Sequence, residues 1–594
     1  MTHYTHGPQV LDDGTTRFTL WAPNAQRVEL VLDDARAQAM TSEAEGFYTI
    51  TVPAPEGTLY RFRINGEIDV PDPASRWQDD DIHDPSVVMG EDKYPWQNVD
   101  WKGRPWHETV LYELHPGLMG GYAGIEARLP ALATLGVTAI ELMPIADFPG
   151  ARNWGYDGVL PYAPDKAYGS ADELKHLIDS AHGMGIMVFL DVVYNHFGPD
   201  GNYLSTYAAD FFNAQADTPW GPAIDFSRPQ VRQFFAENAL YWLNEFRFDG
   251  LRLDAVHAII DQQWLPEMAA FVRDNVSPDR EIHLVLENEA NTASPLSQGF
   301  DAQWNDDAHH VLHHILTGET RAYYADFSQD PTTKLARMLA EGFVYQGDPS
   351  PFHDGELRGE RSDHLAPTAF VLFLQNHDQI GNRAFGERLT ELLADRPDAL
   401  RAAVALQLLC PHIPLIFMGE ELGARSPFLY FTSHSETDLV NAVREGRRRE
   451  FAGFNDFSDP QVLASIPDPN ETDTYERSAL QVADSDPAAA RWLALYRLLL
   501  DLRRERITPG LPGAVSMGAQ VLGDGAVSAR WRLGNGKVLT LYANLGASDI
   551  VSDALADGYD PLAEVIFESA PGADAALRAT TLTPHTVIAL LKHE

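Results

Sequence analysis

The chain has 594 residues, 44% hydrophobic and 22% charged, which describes a globular protein of several domains and excludes a fibrous, collagenous or wholly disordered one. Lys and Arg number 44 against 86 Asp and Glu, a net charge of −42 that repels phosphate backbones and anionic lipid, so neither nucleic acid nor a membrane is an expected partner and a neutral substrate fits better. The single cysteine, Cys410, cannot form an intramolecular disulfide and is expected to be a small buried hydrophobe in a protein of a reducing compartment.

Met1 to Leu30 shows neither a basic start followed by an apolar run nor a small-residue cleavage site, so no export signal is read and a cytoplasmic location is expected. Residues 1–95 read as a β-sandwich of short strands, Arg17–Trp21, Arg27–Asp33, Phe47–Val52 and Leu59–Asn65, separated by Pro, Gly and Asp clusters. A Pro- and Asp-rich stretch, Asp69–Trp96, reads as the link to the next domain.

Over residues 96–509 apolar strands alternate with amphipathic helices, the pattern of a parallel sheet covered by helices. Eight strands are predicted: Val110–Leu114, Val137–Met143, Ile186–Tyr194, Gly250–Val256, His283–Asn288, Phe300–Trp304, Ala369–Asn376 and Pro414–Gly419. Between them, Ser170 and Glu173 have capping-box spacing ahead of a helix to His182 that Gly183 is placed to end, and Ser227–Phe246 makes another helix. The expected fold is a (β/α)₈ TIM barrel with its functional groups at the C-terminal ends of the strands; a doubly wound open sheet is the competing topology. The longest apolar stretch, Ala402–Gly419, contains Gln407, Pro411, His412 and Pro414 and reads as core rather than as a membrane span. Beyond a helix carrying Trp492, Leu495, Leu498 and Leu499, residues 510–594 read as a second β-sandwich, with a hairpin turning at Gly534-Asn535-Gly536.

A strand buried on both faces should be nearly all apolar, so the polar residues that interrupt or close the barrel strands are informative. Four sites stand out: Asp191 to His196, Arg252 with Asp254, Glu287 to Glu289, and Gln375 to Asp378. Arg252 and Asp254 are two apart and project from one face, where the guanidinium would keep Asp254 ionised as a nucleophile. Glu287 follows Leu284-Val285-Leu286, and a carboxyl desolvated near another carboxylate has a raised pKa that suits a general acid. Retaining glycoside hydrolysis needs such a pair, about 5–5.5 Å apart. One charge at one strand end is more often structural than catalytic; the coincidence at four strand ends favours chemistry. Glu289 would share the face of Glu287 if the strand continued, but Glu287 directly follows the apolar run and is preferred.

Asp191-Val-Val-Tyr-Asn-His196, Gly250-Leu-Arg-Leu-Asp-Ala255, Glu287 and Asn376-His-Asp378 resemble, in order, four short motifs of glycoside hydrolase family 13, the α-amylase superfamily. The resemblance implies that Asp254 is the nucleophile, Glu287 the acid/base and Asp378 the stabiliser of the transition state. It implies that Arg252, His196 and His377 position nucleophile and substrate, and that Asp191 holds the arginine. In Trp154-Gly-Tyr-Asp-Gly158, Tyr156 matches the aromatic platform under the reacting glucose, with Trp154 and Asp157 as further substrate contacts. Of the other aromatics, Tyr203, Trp304 and Tyr430 read as core more than as platforms, and Trp220 stands evenly between the two. Asn195 matches a calcium-binding position of amylases, but its co-ligands are not found and no metal or cofactor is expected.

Longer segments, among them Ala139–Pro144, Gln375–Arg383, Met418–Glu421, Pro427–Thr432 and Glu445–Phe451, resemble the maltooligosyltrehalose trehalohydrolases within that superfamily. This implies hydrolysis of the α-1,4 bond that joins a maltooligosaccharide to a terminal trehalose, with a maltooligosyltrehalose synthase as pathway partner and no stable complex between them. The chain departs from the pattern after His115, at Pro116–Gly121, and after Glu289, at Asn291–Ser294, where subsite walls are expected. The competing readings are a 1,4-α-glucan branching enzyme, which shares the triad, and a glycan-binding protein without catalysis.

Overall fold

The computed structural model describes residues 4–33, 36–90, 94–452, 459–482, 486–552, 555 and 558–593, so the Asp69–Trp96 link is described except for 91–93. Eight parallel strands close in chain order into a barrel: β1 (Leu111–Leu114), β2 (Ala139–Leu142), β3 (Met187–Val192), β4 (Gly250–Leu253), β5 (His283–Leu286), β6 (Ala302–Trp304), β7 (Phe370–Leu372) and β8 (Ile413–Phe417). Closure is made by β1 on β8, with Leu111 opposite Leu415, which excludes the open doubly wound sheet. β4 and β5 are shorter than predicted because their polar ends have already left the ladder, at Asp254 and Glu287.

Alternation along each strand sorts the barrel interior into layers. Leu111, Ala139, Met187, Phe189, Val285, Ala302, Val371, Ile413 and Leu415 fill its apolar part. One strand-repeat further toward the C-terminal mouth the inward positions become polar, as register shows: Glu113 is opposite Glu141 across β1 and β2, and Asp191 is opposite Arg252 across β3 and β4. The sequence therefore seals the lower barrel with hydrophobes and opens the upper barrel to charge. Gly250 begins β4 because Phe189 crosses the axis there; a Cβ would come within 2.2 Å of its ring.

The helix α1 (Ala171–Gly183) carries the expected capping box: Ser170 Oγ accepts from the Glu173 amide at 3.2 Å, and the Ser170 amide donates to Glu173 Oε2 at 2.7 Å. It ends at Gly183 as expected, with the reversal two residues later. Gly183 is the last helical residue, and Gly185, at φ +75°, makes the left-handed reversal while the Ile186 amide reaches back to Ala181 O. Ala402–Gly419 divides into the end of a helix, Pro397–Leu409, and β8, with Cys410 buried between them. Among the described residues no helix is long and apolar enough to cross a membrane.

Two sheets make the N-terminal sandwich: Gln9–Val10, Thr15–Trp21, Phe47–Pro53 and Thr41–Ser42 form one, and Gln38–Ala39, Val28–Leu32, Leu59–Ile64 and Ile68–Val70 the other. A buried cation fastens it to the barrel. The Arg76 guanidinium lies 4.3 Å and 4.4 Å from the ring centroids of Tyr162 and Tyr241, with Tyr4 at 5.2 Å. The C-terminal region is one five-stranded antiparallel sheet, Val515–Gly523, Ala526–Arg532, Lys537–Asn544, Thr586–His593 and Glu564–Glu568, faced by a two-stranded ladder of Ile550–Val551 with Thr581–Leu582. Its predicted hairpin is present, with Arg532 opposite Val538, and Val527, Ala529, Trp531 and Leu533 buried. In the helix before it, Pro487–Leu502, Leu498 is half exposed and Tyr496, Leu499 and Leu500 take the buried face.

Candidate active site

Arg252 organises the mouth of the barrel. It is fully buried on β4, and its Nη1 donates to Asp191 Oδ1 and Oδ2 at 2.9 Å and 2.7 Å and to Asp254 Oδ1 at 2.9 Å. Its Nη2 lies 3.2 Å from Glu287 Oε2, an ion-pair contact off hydrogen-bond alignment, and its face rests 4.2 Å over the Trp304 ring. One guanidinium thus touches three carboxylates from β3, β4 and β5. Breaking a buried pair of this kind costs about 3–5 kcal/mol, because the remaining charge has no water to turn to.

The backbone completes the junction. Ala255 has φ +40° and ψ +48°, a left-handed conformation uncommon for a residue with a side chain, and that turn aims its amide at Glu287 Oε2, 2.6 Å away. Asn195 donates through Nδ2 to both Asp254 O and Asp254 Oδ2, at 2.9 Å and 2.7 Å. Its amide is therefore committed to holding Asp254. Burial pushes Glu287 well above the usual carboxylate range, and Asp254, Asp378 and Asp306 add to the effect against the opposing pull of Arg252. Burial also raises Asp191, to about 6, but Arg252 beside it leaves it ionised at neutral pH.

The second arm of the network runs through His377. Its backbone amide donates to Glu113 Oε2 at 3.1 Å and its Nδ1 donates to Glu113 Oε1 in a shorter contact. On the other side, Nε2 lies 2.8 Å from Tyr156 Oη and 3.4 Å from Asp378 Oδ1, while Tyr156 Oη donates to Asp191 Oδ2 at 2.6 Å. Burial works against a charged imidazole, yet Asp378 and Glu113 outweigh it and hold His377 well above its ordinary range. Burial likewise works against ionisation of Asp378, and His377 with Arg252 overcomes it, leaving Asp378 below the ordinary value. Carboxylate and cation alternate from Glu113 through His377, Asp191 and Arg252 to Asp254, with the neutral Tyr156 hydroxyl bridging His377 and Asp191.

The remaining expected residues fall around this centre in differing ways. The ring of His196 has Nε2 3.0 Å from Tyr156 O and Nδ1 2.5 Å from Asn195 Oδ1, and it stacks beneath Trp220 at 5.5 Å. Trp220 is 47% exposed at the tip of the hairpin Phe212–Thr218/Gly221–Ile224, so of the candidate platforms it presents an open indole face. Tyr156 stacks on His377 at 5.2 Å. Asp157 Oδ2 accepts from Asn153 Nδ2 at 2.6 Å and lies 3.7 Å from His434. Trp154 does not present a face: it is 4% exposed, its indole N–H donates to Leu429 O, and it stands edge-on behind His377 at 5.6 Å. Trp304 is buried beneath Arg252, and Tyr203 Oη lies 2.7 Å from His83 Nδ1 of the N-terminal module.

Glu113, Glu141 and Asp306 were not singled out from the sequence, although the same rule of polar interruption points to them. Glu141 sits in the middle of β2, buried, with neither carboxyl oxygen hydrogen-bonded, and burial followed by the charges of Glu113 and Asp191 raises it far above the usual range. Asp306 follows β6 and is raised to about 7 by burial and by Asp378. Changing Glu113 to Gln is expected to lower kcat/KM by about tenfold to a hundredfold through loss of a charge-assisted partner to His377. Initial rates on a candidate glucan oligosaccharide, with folding checked by circular dichroism, measure it.

Comparison with known proteins places the chain in a family. Residues 5–85 match the model of carbohydrate-binding module 48 (isoamylase N-terminal domain), 94–220 that of the α-amylase catalytic domain, and 516–588 a domain of unknown function, DUF3459. The malto-oligosyltrehalose trehalohydrolase of Deinococcus radiodurans is 39% identical, over 87% of this chain and 88% of its own length. The chain belongs to the malto-oligosyltrehalose trehalohydrolase family. A second member, from Saccharolobus solfataricus, is 38% identical over 84% of this chain and 87% of its own. A crystal structure of a Salmonella typhimurium protein provisionally called an α-amylase covers 100% of both chains at 41% identity, with a TM-score of 0.91. A 1,4-α-glucan branching enzyme of Streptomyces coelicolor matches over only 41% of this chain and 37% of its own length. The trehalohydrolase family is thus a family of glycosidases built on this barrel, and the chain is a glycosidase.

Proposed function

We propose that the protein hydrolyses the α-1,4-glucosidic bond next to the terminal trehalose of maltooligosyltrehalose, releasing trehalose with retention at the anomeric carbon. The observation that carries this reading is the guanidinium of Arg252 between Asp254 and Glu287. Asp254, held by Arg252 and Asn195, attacks the anomeric carbon; Glu287, kept protonated by burial, gives its proton to the departing oxygen and later takes one from water. Two carboxylates gripped by one guanidinium suit the short separation, about 5–5.5 Å, of retaining enzymes. Asp378, ionised beside His377, stabilises the oxocarbenium-like transition state, and Tyr156, Asp157, His196 and His377 hold the sugar on the glycone side. Trp154 supports that group from behind.

The substrate is a glucan whose reducing end is already a trehalose unit, so a maltooligosyltrehalose synthase acts upstream. Whole-length similarity to trehalohydrolases, against partial similarity to a branching enzyme, favours hydrolysis over transfer. The test is product analysis on maltooligosyltrehalose: free trehalose and a shortened maltooligosaccharide, first released in the α configuration by proton NMR, are expected. New α-1,6 branches without trehalose would assign the branching reaction instead.

A further inference from the structure

A carboxylate at the same mouth stands apart from the Arg252 network. Glu289 lies two residues past Glu287, beyond the end of β5, with its side chain 43% exposed. Its Oε1 is 3.3 Å from His353 Nε2 and its Oε2 is 3.8 Å from His257 Nε2. These three residues come from three loops: His257 follows β4, Glu289 follows β5, and His353 lies in the long connection between β6 and β7.

The backbone around Glu289 is pinned on both sides. Its amide donates to His257 Nδ1 at 3.3 Å, and its carbonyl accepts from Arg358 Nε at 2.8 Å. Arg358 pairs in turn with buried Asp307 at 2.9 Å, and Asp307 Oδ2 accepts from Asn291 Nδ2 and from the amides of Val344 and Tyr345. A half-exposed carboxylate between two imidazoles adds little to stability. The loops nevertheless hold it in one place, at the rim of the catalytic mouth and two residues from the acid.

Position gives this group a chemistry. The acid protonates the leaving oxygen, so side chains beyond Glu287 meet the departing sugar, whereas Tyr156, His377 and Asp378 surround the reacting ring. Trehalose has both anomeric carbons locked in its glycosidic bond and offers hydroxyls alone. A carboxylate accepts hydrogen bonds from two such hydroxyls, and imidazoles beside it donate or accept as needed. Resting on the reading of function above, we propose that Glu289, held between His257 and His353, binds the hydroxyls of the departing trehalose and sets the preference for it.

The test compares leaving groups. Glu289→Gln and His353→Ala are assayed on maltooligosyltrehalose and on α-maltotriosyl fluoride, whose fluoride has no hydroxyl to bind. The ratio of kcat/KM for the oligosaccharide over the fluoride is expected to fall about tenfold or more in Glu289→Gln, the loss of a hydrogen bond to a charged group. Inhibition by added trehalose is expected to weaken in parallel, and His353→Ala should shift the ratio in the same direction. An unchanged ratio, whether both rates fall together or neither falls, overturns the proposal. Failure of the wild-type protein to release trehalose would defeat the functional reading instead, and inhibition of fluoride turnover by added trehalose, weakened or unchanged in Glu289→Gln, would still report whether Glu289 binds that sugar.

Discussion

Asp254→Asn is expected to reduce kcat by about four orders of magnitude or more, as loss of a covalent nucleophile does elsewhere. Asparagine keeps the shape of the side chain and an oxygen for Arg252 Nη1, so the fold and the glucan-binding residues should survive. On the proposed mechanism the attacking carboxylate is gone, and with it the glycosyl ester through which retention proceeds. KM should change little, because Tyr156, His196 and His377 stay in place. Stopped assays over hours measure the residual rate; a loss smaller than about tenfold would place the nucleophile on another carboxylate.

Glu287→Gln should lower kcat on maltooligosyltrehalose by about 10²–10⁴-fold, the range of a general acid–base group. The loss should be much smaller in the first step on α-maltotriosyl fluoride, since fluoride departs without a proton. The pH profile carries a second signature. Glu287 must be protonated to act, and burial with three neighbouring carboxylates raises its pKa. Activity of the wild-type protein should therefore persist above the ordinary glutamic acid range and decline only as pH rises through that raised value. In Glu287→Gln the alkaline decline should vanish, since glutamine has no proton to lose. The same change at Glu289 should leave the alkaline limb in place.

The barrel was legible because its two periodicities are plain: eight short apolar runs, spaced by amphipathic helices, have few other ways to bury themselves. Three candidate carboxylates were legible as a cluster because Asp254 and Glu287 directly follow the apolar runs of β4 and β5, and Asp378 follows the polar close of the seventh run. Glu113 and Glu141 obey the same logic but lie inside β1 and β2, and their place beside the candidate site shows only once register sets them level with each other and Glu113 meets His377. The role of Asn195 was hidden differently: that its amide turns onto Asp254 depends on how two loops meet after β3 and β4. Aromatics were the weakest signal. Trp154 and Trp220 have the same side chain, and only burial separates a wall behind His377 from an open face above His196. Helix ends show the same limit, since Gly183 and Gly185 both satisfy the sequence rule and the backbone reverses at the second.

What most directly tests the central claim is the identity of the carboxylate that carries the sugar. In Glu287→Gln, α-maltotriosyl fluoride should load the protein faster than water unloads it, so a quenched digest read by mass spectrometry should show one maltotriosyl group on the peptide containing Asp254. A maltotriosyl group on Asp378, Asp306 or Glu289, or steady turnover with Asp254 never modified, would contradict the account.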